Sequence, residues 1–222
     1  NIQITYQSVG SGAGVEQFTQ GTVDFGASDS AMKNEEIGQV KKGVVMLPMT
    51  AGSIVLGYNL PEVKDLKLSR EAYVDIFMGK ITKWNDPAIA KTNPGVNLPD
   101  KKITVIHRSD GSGTTSVFTQ HLATISPAWA GKVGSGKTVD WPTGVGAKGN
   151  EGVTAQILQT DGAIAYTEYG YAKQQNISTA ILQNKSGQFV PASSQAAAKS
   201  LQAVKLPENL RAFILDPTGA DA

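Results

Sequence analysis

Two Gly-Ser-Gly turns carry most of the chemistry this sequence is equipped to do. The first, Gly10-Ser11-Gly12, closes the strand-like run Ile4 to Val9. The second, Gly111-Ser112-Gly113, follows the strand-like run Ile103 to His107, with Arg108 and Asp110 just ahead of it and Thr114 just behind. Each turn opens into a helix-like segment. Glycine lets backbone come close to a ligand, serine adds a hydroxyl, and the first amides of a helix have no internal carbonyl to reach. Arg108 brings a planar fork of donors matched to two oxygens of one tetrahedral anion. All of these groups donate, so the pair of turns reads as an oxyanion socket held between two parts of the chain. The residues alone also allow a plainer reading of the second turn: a helix cap at Ser112, an Asp-Gly turn and a surface Arg108–Asp110 pair. Asp29 ends the run Val23 to Ser28 in an exposed carboxylate, which by itself reads as a cap for the helix that follows.

Short β-branched runs alternating with helical patterns position these residues, and that alternation predicts an α/β protein. Strands are expected at Ile2 to Tyr6, Val23 to Ala27, Val44 to Pro48, Ser53 to Asn59, 103–107, 163–166 and 179–183. Helices are expected at Val15 to Gln20, Glu35 to Lys41, Arg70 to Met78 with Ser69 as its cap, 113–123, 151–159, 168–174 and near 192–200. A hinge is expected at Ala51-Gly52-Ser53, between two strand-like runs. It divides the chain into a first lobe, 1–52, and a second, 53–213, with 214–222 turning back toward the first.

Composition narrows the function classes. With 20 basic and 19 acidic residues the net charge is +1, and no basic stripe or like-charge run supports nucleic-acid binding. The chain has no cysteine, which removes disulfides, thiolate metal sites and cysteine nucleophiles, and its two histidines lack metal-ligand spacing. No apolar stretch approaches the roughly 20 residues of a membrane span, and no signal segment opens the chain, which as given reads as soluble. Two motif matches mislead. Gly131 to Thr138 fits the P-loop pattern letter for letter, but Ser126 to Ala130 ahead of it reads as a helical turn, and Trp141-Pro142 soon after it forbids a long helix. Gly144 to Gly149 fits the dinucleotide fingerprint, yet Trp141-Pro142-Thr143 stands where a strand should be, so a flexible loop entering helix 151–159 is expected. The three tryptophans, Trp84, Trp129 and Trp141, read as packing residues.

The runs Gln7 to Gly14, Val23 to Asp29, Gly79 to Asp86, Arg108 to Thr114, Trp141-Pro142, Gly144 to Gly152 and Gly162 to Tyr169 resemble the phosphate-binding receptor proteins of bacterial phosphate ABC transporters. The resemblance implies a two-lobed, type II periplasmic-binding-protein-like fold, with mixed sheets flanked by helices, closing on a dehydrated phosphate. It assigns ligand contacts to Ser11, Asp29, Arg108, Ser112, Gly113 and Thr114, with Gly10, Gly12, Asp110 and Gly111 in support and Asp110 holding Arg108. It implies inorganic phosphate and a membrane permease as partners, no cofactor or metal, a monomer, and a periplasmic or cell-surface location. Asp29, otherwise the wrong charge for an anion site, then accepts the proton that phosphate retains and sulfate lacks. Members of that family begin with a further strand and a Gly-rich, Thr/Ser-Phe-Pro segment, so the first lobe is expected to be incomplete in this chain. The alternatives are a receptor for another oxyanion, such as arsenate, sulfate or molybdate, or a serine hydrolase built on Ser112 with His107 or His121.

Overall fold

The computed structural model describes residues 2–202 and 204–217. In chain order the elements are α1 (Gly10–Gln20), α2 (Asn34–Gly38), β1 (Ile54–Tyr58), β2 (Lys67–Leu68), α3 (Arg70–Phe77), α4 (Pro87–Ala90), β3 (Thr104–Arg108), α5 (Gly113–Ile125), α6 (Pro127–Lys132), β4 (Val145–Ala147), α7 (Gly149–Gln159), β5 (Ala163–Glu168), α8 (Tyr169–Gln174), β6 (Ser178–Thr179), β7 (Ile181–Gln183), β8 (Phe189–Val190) and α9 (Ser194–Gln202). Capping chemistry starts four of the helices. The side chains of Ser69, Asp86, Ser112 and Ser126 accept backbone N–H groups of α3, α4, α5 and α6, and proline follows two of them at the first helical position.

A five-stranded mixed sheet in the order β4-β3-β5-β1-β6 forms the centre, and a three-stranded sheet, β2-β7-β8, lies apart from it. β3 runs parallel to β4 and β5, while β1 runs antiparallel to β5 and β6. Helices cover both faces of the larger sheet, which is why its strands read as nearly continuous apolar runs. On one face Leu56, Val105, Ile164 and Tyr166 meet Phe77, Phe118, Leu122 and Trp129; on the other Val55, Ile106, Ala163 and Ala165 meet Val153, Ile157 and Ala172. Alternate residues of one strand therefore serve two cores. Trp84 and Trp129 are fully buried and their indole N–H groups donate to the carbonyls of Gly162 and Gly134.

Three expected strands are absent. Ile2 to Tyr6, Val23 to Ala27 and Val44 to Pro48 have no regular structure, and among the described residues none has a ladder partner. Most of their side chains stand in solvent, with Ile2 93%, Val45 82% and the neighbouring Met49 85% exposed. β-Propensity without a neighbouring strand makes no sheet, because the ladder hydrogen bonds come from elsewhere in the chain. The expected helix Glu35 to Lys41 shortens to α2. The expected strand 179–183 is split: Ala180 N–H donates to Leu56 O at 2.8 Å and Ile181 N–H to Leu66 O at 2.8 Å, so the chain changes sheets between them. The expected loop 144–149 instead contains β4, which pairs with β3 from Ile106 to Arg108, and ends in the first residue of α7. Residues 218–222 of the expected return segment lie outside the described residues.

Candidate anion-binding site

The carboxyl ends of the three parallel strands bring Arg108 (β3), Ala147 (β4) and Glu168 (β5) to one edge of the sheet. β3 and β4 are neighbours, yet α5 leaves β3 toward one face and α7 leaves β4 toward the other. Connections that part in this way open a crevice between the strand ends, the usual place for a ligand in an open α/β sheet. Arg108 and Asp110 occupy it. Arg108 Nε donates to Asp110 Oδ1 at 2.7 Å and Nη2 to Oδ2 at 2.5 Å, while the Gly149 N–H, at the start of α7, donates to Oδ1 at 3.1 Å. Burial pushes the Asp110 carboxyl up, but the Arg108 guanidinium and the Gly149 amide outweigh it and hold it below its ordinary value.

α1 docks on this edge. The Gly12 N–H donates to Gly111 O at 2.8 Å, and the backbones of the two glycines come so close that a Cβ on Gly12 would lie 2.9 Å from Gly111 Cα. Gly10, at φ +82°, sits where a side chain would strike Asp110 Oδ2 at 2.7 Å. Two helix N-termini thus meet, and neither carries an acidic residue in its first turn. Their partial positive charges stay available to an outside anion.

The structure brings together most of the residues singled out in the sequence. Ser11 and Thr114 are buried; the Asp29 N–H donates to Ser11 Oγ at 3.1 Å, and Thr114 Oγ1 donates to Asp29 Oδ2 at 3.4 Å. A Cβ on Gly113 would collide with Ser11 Oγ and lie 2.7 Å from Asp29 Cβ. Asp29 is therefore no helix cap: the residue before α2 is Lys33, and Asp29 faces the start of α5. Ser112 Oγ is already engaged as the cap, accepting the Thr115 N–H at 3.0 Å, so its contribution is divided between the helix and any ligand. The hydrolase alternative finds no support here. His107 stacks on Trp141 and its Nδ1 lies 3.1 Å from Arg108 O, while His121 bonds Tyr73 and Leu215. Residues 131–138 begin in the last turn of α6 and start no helix of their own, as their flanks imply.

Three positions escaped the sequence reading. The Tyr166 hydroxyl accepts the Arg108 N–H at 2.9 Å and bonds Thr115 Oγ1 at 2.6 Å, joining the end of β3 to the first turn of α5. Burial pushes its pKa up to about 12, so it stays neutral. Glu168 lies against Gly52, and burial followed by the Asp29 charge raises its carboxyl above its ordinary value. Ser30 Oγ is buried with no hydrogen-bond partner. Only Tyr166 had a signal, a tyrosine inside a strand buried on both faces.

A crevice at the ends of parallel strands, walled by two helix N-termini and an arginine fork, has the geometry of a ligand site in an open α/β sheet and is chemically suited to an anion. The chain belongs to the PBP superfamily, whose domain model matches residues 1–221. It is 53% identical over 196 residues to the phosphate-binding protein PstS of Pasteurella multocida (strain Pm70), an alignment covering 87% of this chain and 56% of that protein. To the protein of the same name from Xylella fastidiosa (strain Temecula1) it is 44% identical over 224 residues, covering 99% of this chain and 61% of the other. The chain thus spans little more than half the length of these relatives. Among solved structures, the fold is similar to a high affinity periplasmic phosphate-binding protein (PfluDING) bound with phosphate, at TM-score 0.68, 20% identity and coverage of 90% and 61%. It is also similar to a phosphate-binding protein from Stenotrophomonas maltophilia, at TM-score 0.64, 20% identity and coverage of 91% and 62%. No described helix is long and apolar enough to cross a membrane, and no described group of three or more His, Cys, Asp or Glu could hold a metal.

Proposed function

We propose that this chain forms the phosphate-holding part of a periplasmic or cell-surface receptor that passes inorganic phosphate to the membrane permease of an ABC transporter. It acts as a monomeric binding protein rather than an enzyme, with a first lobe at 1–52 and a second at 53–213. The observation that carries this reading is the meeting of two helix starts, with Ser11 and Asp29 on one side touching Gly113 and Thr114 on the other. The names of relatives at 53% and 44% identity support it.

In this reading the Gly113 and Thr114 amides, the hydroxyls of Ser11, Ser112 and Thr114, and the Arg108 guanidinium donate to phosphate oxygens. Asp110 and the Gly149 amide keep Arg108 oriented, and Gly10, Gly12 and Gly111 allow the approach. Asp29 already takes the Thr114 hydroxyl on Oδ2, and its remaining acceptor sites can take a hydrogen bond from a ligand only if that ligand carries a proton. Phosphate keeps one near neutral pH and sulfate does not. An ionised Asp29 then repels sulfate and retains phosphate, and arsenate, which carries the same proton, fits the same argument.

Calorimetric titration with phosphate and then sulfate tests the reading. Phosphate is expected to bind and sulfate to give no heat, and Asp29→Asn is expected to narrow the gap by about 10- to 100-fold, the worth of one charge-assisted hydrogen bond. A parent protein that bound neither anion would sink the receptor reading. An Asp29→Asn protein that still ignored sulfate would remove only the account of selectivity.

A further inference from the structure

The segment that imitates a P-loop has a place beside the anion site. After α6 the chain folds back along α5: the Gly136 N–H donates to Thr119 Oγ1 at 3.1 Å, and Lys137 O accepts the Ser112 N–H at 2.9 Å. Lys137 therefore holds, through its backbone, the residue that caps the anion helix. Its side chain reaches α2 instead. Nζ lies 2.6 Å from Glu36 Oε1, and both side chains are largely shielded, 16% and 27% exposed. The other oxygen of Glu36 accepts the Lys33 N–H at 2.7 Å, so the carboxylate is oriented before the lysine arrives.

We propose that Lys137 is a further positioning residue of the anion site, a strut that ties the Ser112 cap to α2 and so couples the grip on the anion to the approach of residues 1–52. The inference rests on the receptor reading above. An ordinary surface ion pair contributes little, because two long side chains must be ordered in water and salt screens them. Here both ends are already held, Glu36 by the Lys33 amide and Lys137 by Ser112 and its loop, so less freedom is lost when they join. Thr119 and Gly136 keep the loop against α5, which leaves the ammonium as the part that reaches across.

The test is phosphate binding and release by the full-length polypeptide and its Lys137→Met, Glu36→Gln and double variants. Gln keeps the acceptor for the Lys33 N–H, so α2 retains its cap. Each single variant is expected to weaken phosphate binding by about 3- to 5-fold, chiefly through faster release, with the double variant no worse than either. Lys137→Arg is expected to restore the parent's release rate, which a merely structural loss elsewhere would not allow. Singles with parental affinity and release, or a double variant whose loss is the product of the two, would overturn the strut while leaving the receptor reading intact. A parent that took up no phosphate would overturn both.

Discussion

At the scale of single residues, the site depends as much on missing side chains as on present ones. Gly113 has Ser11 Oγ and Asp29 Cβ where its own Cβ would be, so the two helix starts meet only because nothing projects there. Gly113→Ala is expected to reduce phosphate affinity by about 100-fold or more, since either the helices separate or donors move by more than a hydrogen bond tolerates. Gly131→Ala, with nothing within 4 Å of the new methyl, serves as the control and should bind like the parent. Titration calorimetry on both decides it; equal affinity would mean the contact is not needed for binding. The polar residues were legible in sequence because their chemistry is local: Arg108, Ser112 and Thr114 share one short turn. Their partners were not, because Asp29 meets Thr114 across 85 residues.

At the scale of elements, the site is aimed by one hydroxyl. Tyr166 belongs to β5, yet its oxygen bonds the last residue of β3 and the first turn of α5, while its ring stacks on Phe118 and Trp141. Tyr166→Phe keeps the ring and leaves a buried amide and a buried hydroxyl short of a partner. A loss of about 1–3 kcal/mol is expected, which lowers the melting temperature by several degrees in a chain of this size. Differential scanning calorimetry reads it directly, and an unchanged melting temperature would show that β3 and α5 are held together by the apolar core alone. Helix starts were read well from caps such as Ser69 and Ser112. β4 was not, since Gly144 to Gly149 has loop composition and becomes a strand only because β3 offers it an edge.

For the whole molecule, both histidines are placed so that protonation opposes folding. Burial pushes His107 and His121 below the ordinary imidazole value of 6.5, against a backbone carbonyl that pulls each the other way. The unfolded chain then takes up these protons first, so their contribution to stability is intact above about pH 6.5 and is lost as pH falls from there toward the folded value. Glu168 works in the opposite sense: its raised carboxyl favours the fold at low pH and loses that contribution as pH rises. The decisive comparison is therefore between proteins. The fall in melting temperature from about pH 7 to about pH 5 is expected to be smaller in His121→Gln than in the parent, and equal slopes would refute the assignment. His121 also bonds Leu215, next to the bidentate Arg70–Asp216 pair, so α5 and α3 both hold residues 215–216.

The amino-acid sequence by itself determined the α/β class, most helix starts, the burial of the central strands and the short turn that carries Arg108, Ser112 and Thr114. Those features depend on side-chain period, capping and turn chemistry, which act over a few residues. Only the tertiary structure decided that Ile2 to Tyr6, Val23 to Ala27 and Val44 to Pro48 form no strands here, that 178–183 serves two sheets, and that Lys137 and Tyr166 stand behind the site. Each of these rests on a partner supplied from far along the chain, and local propensity says nothing about whether that partner arrives.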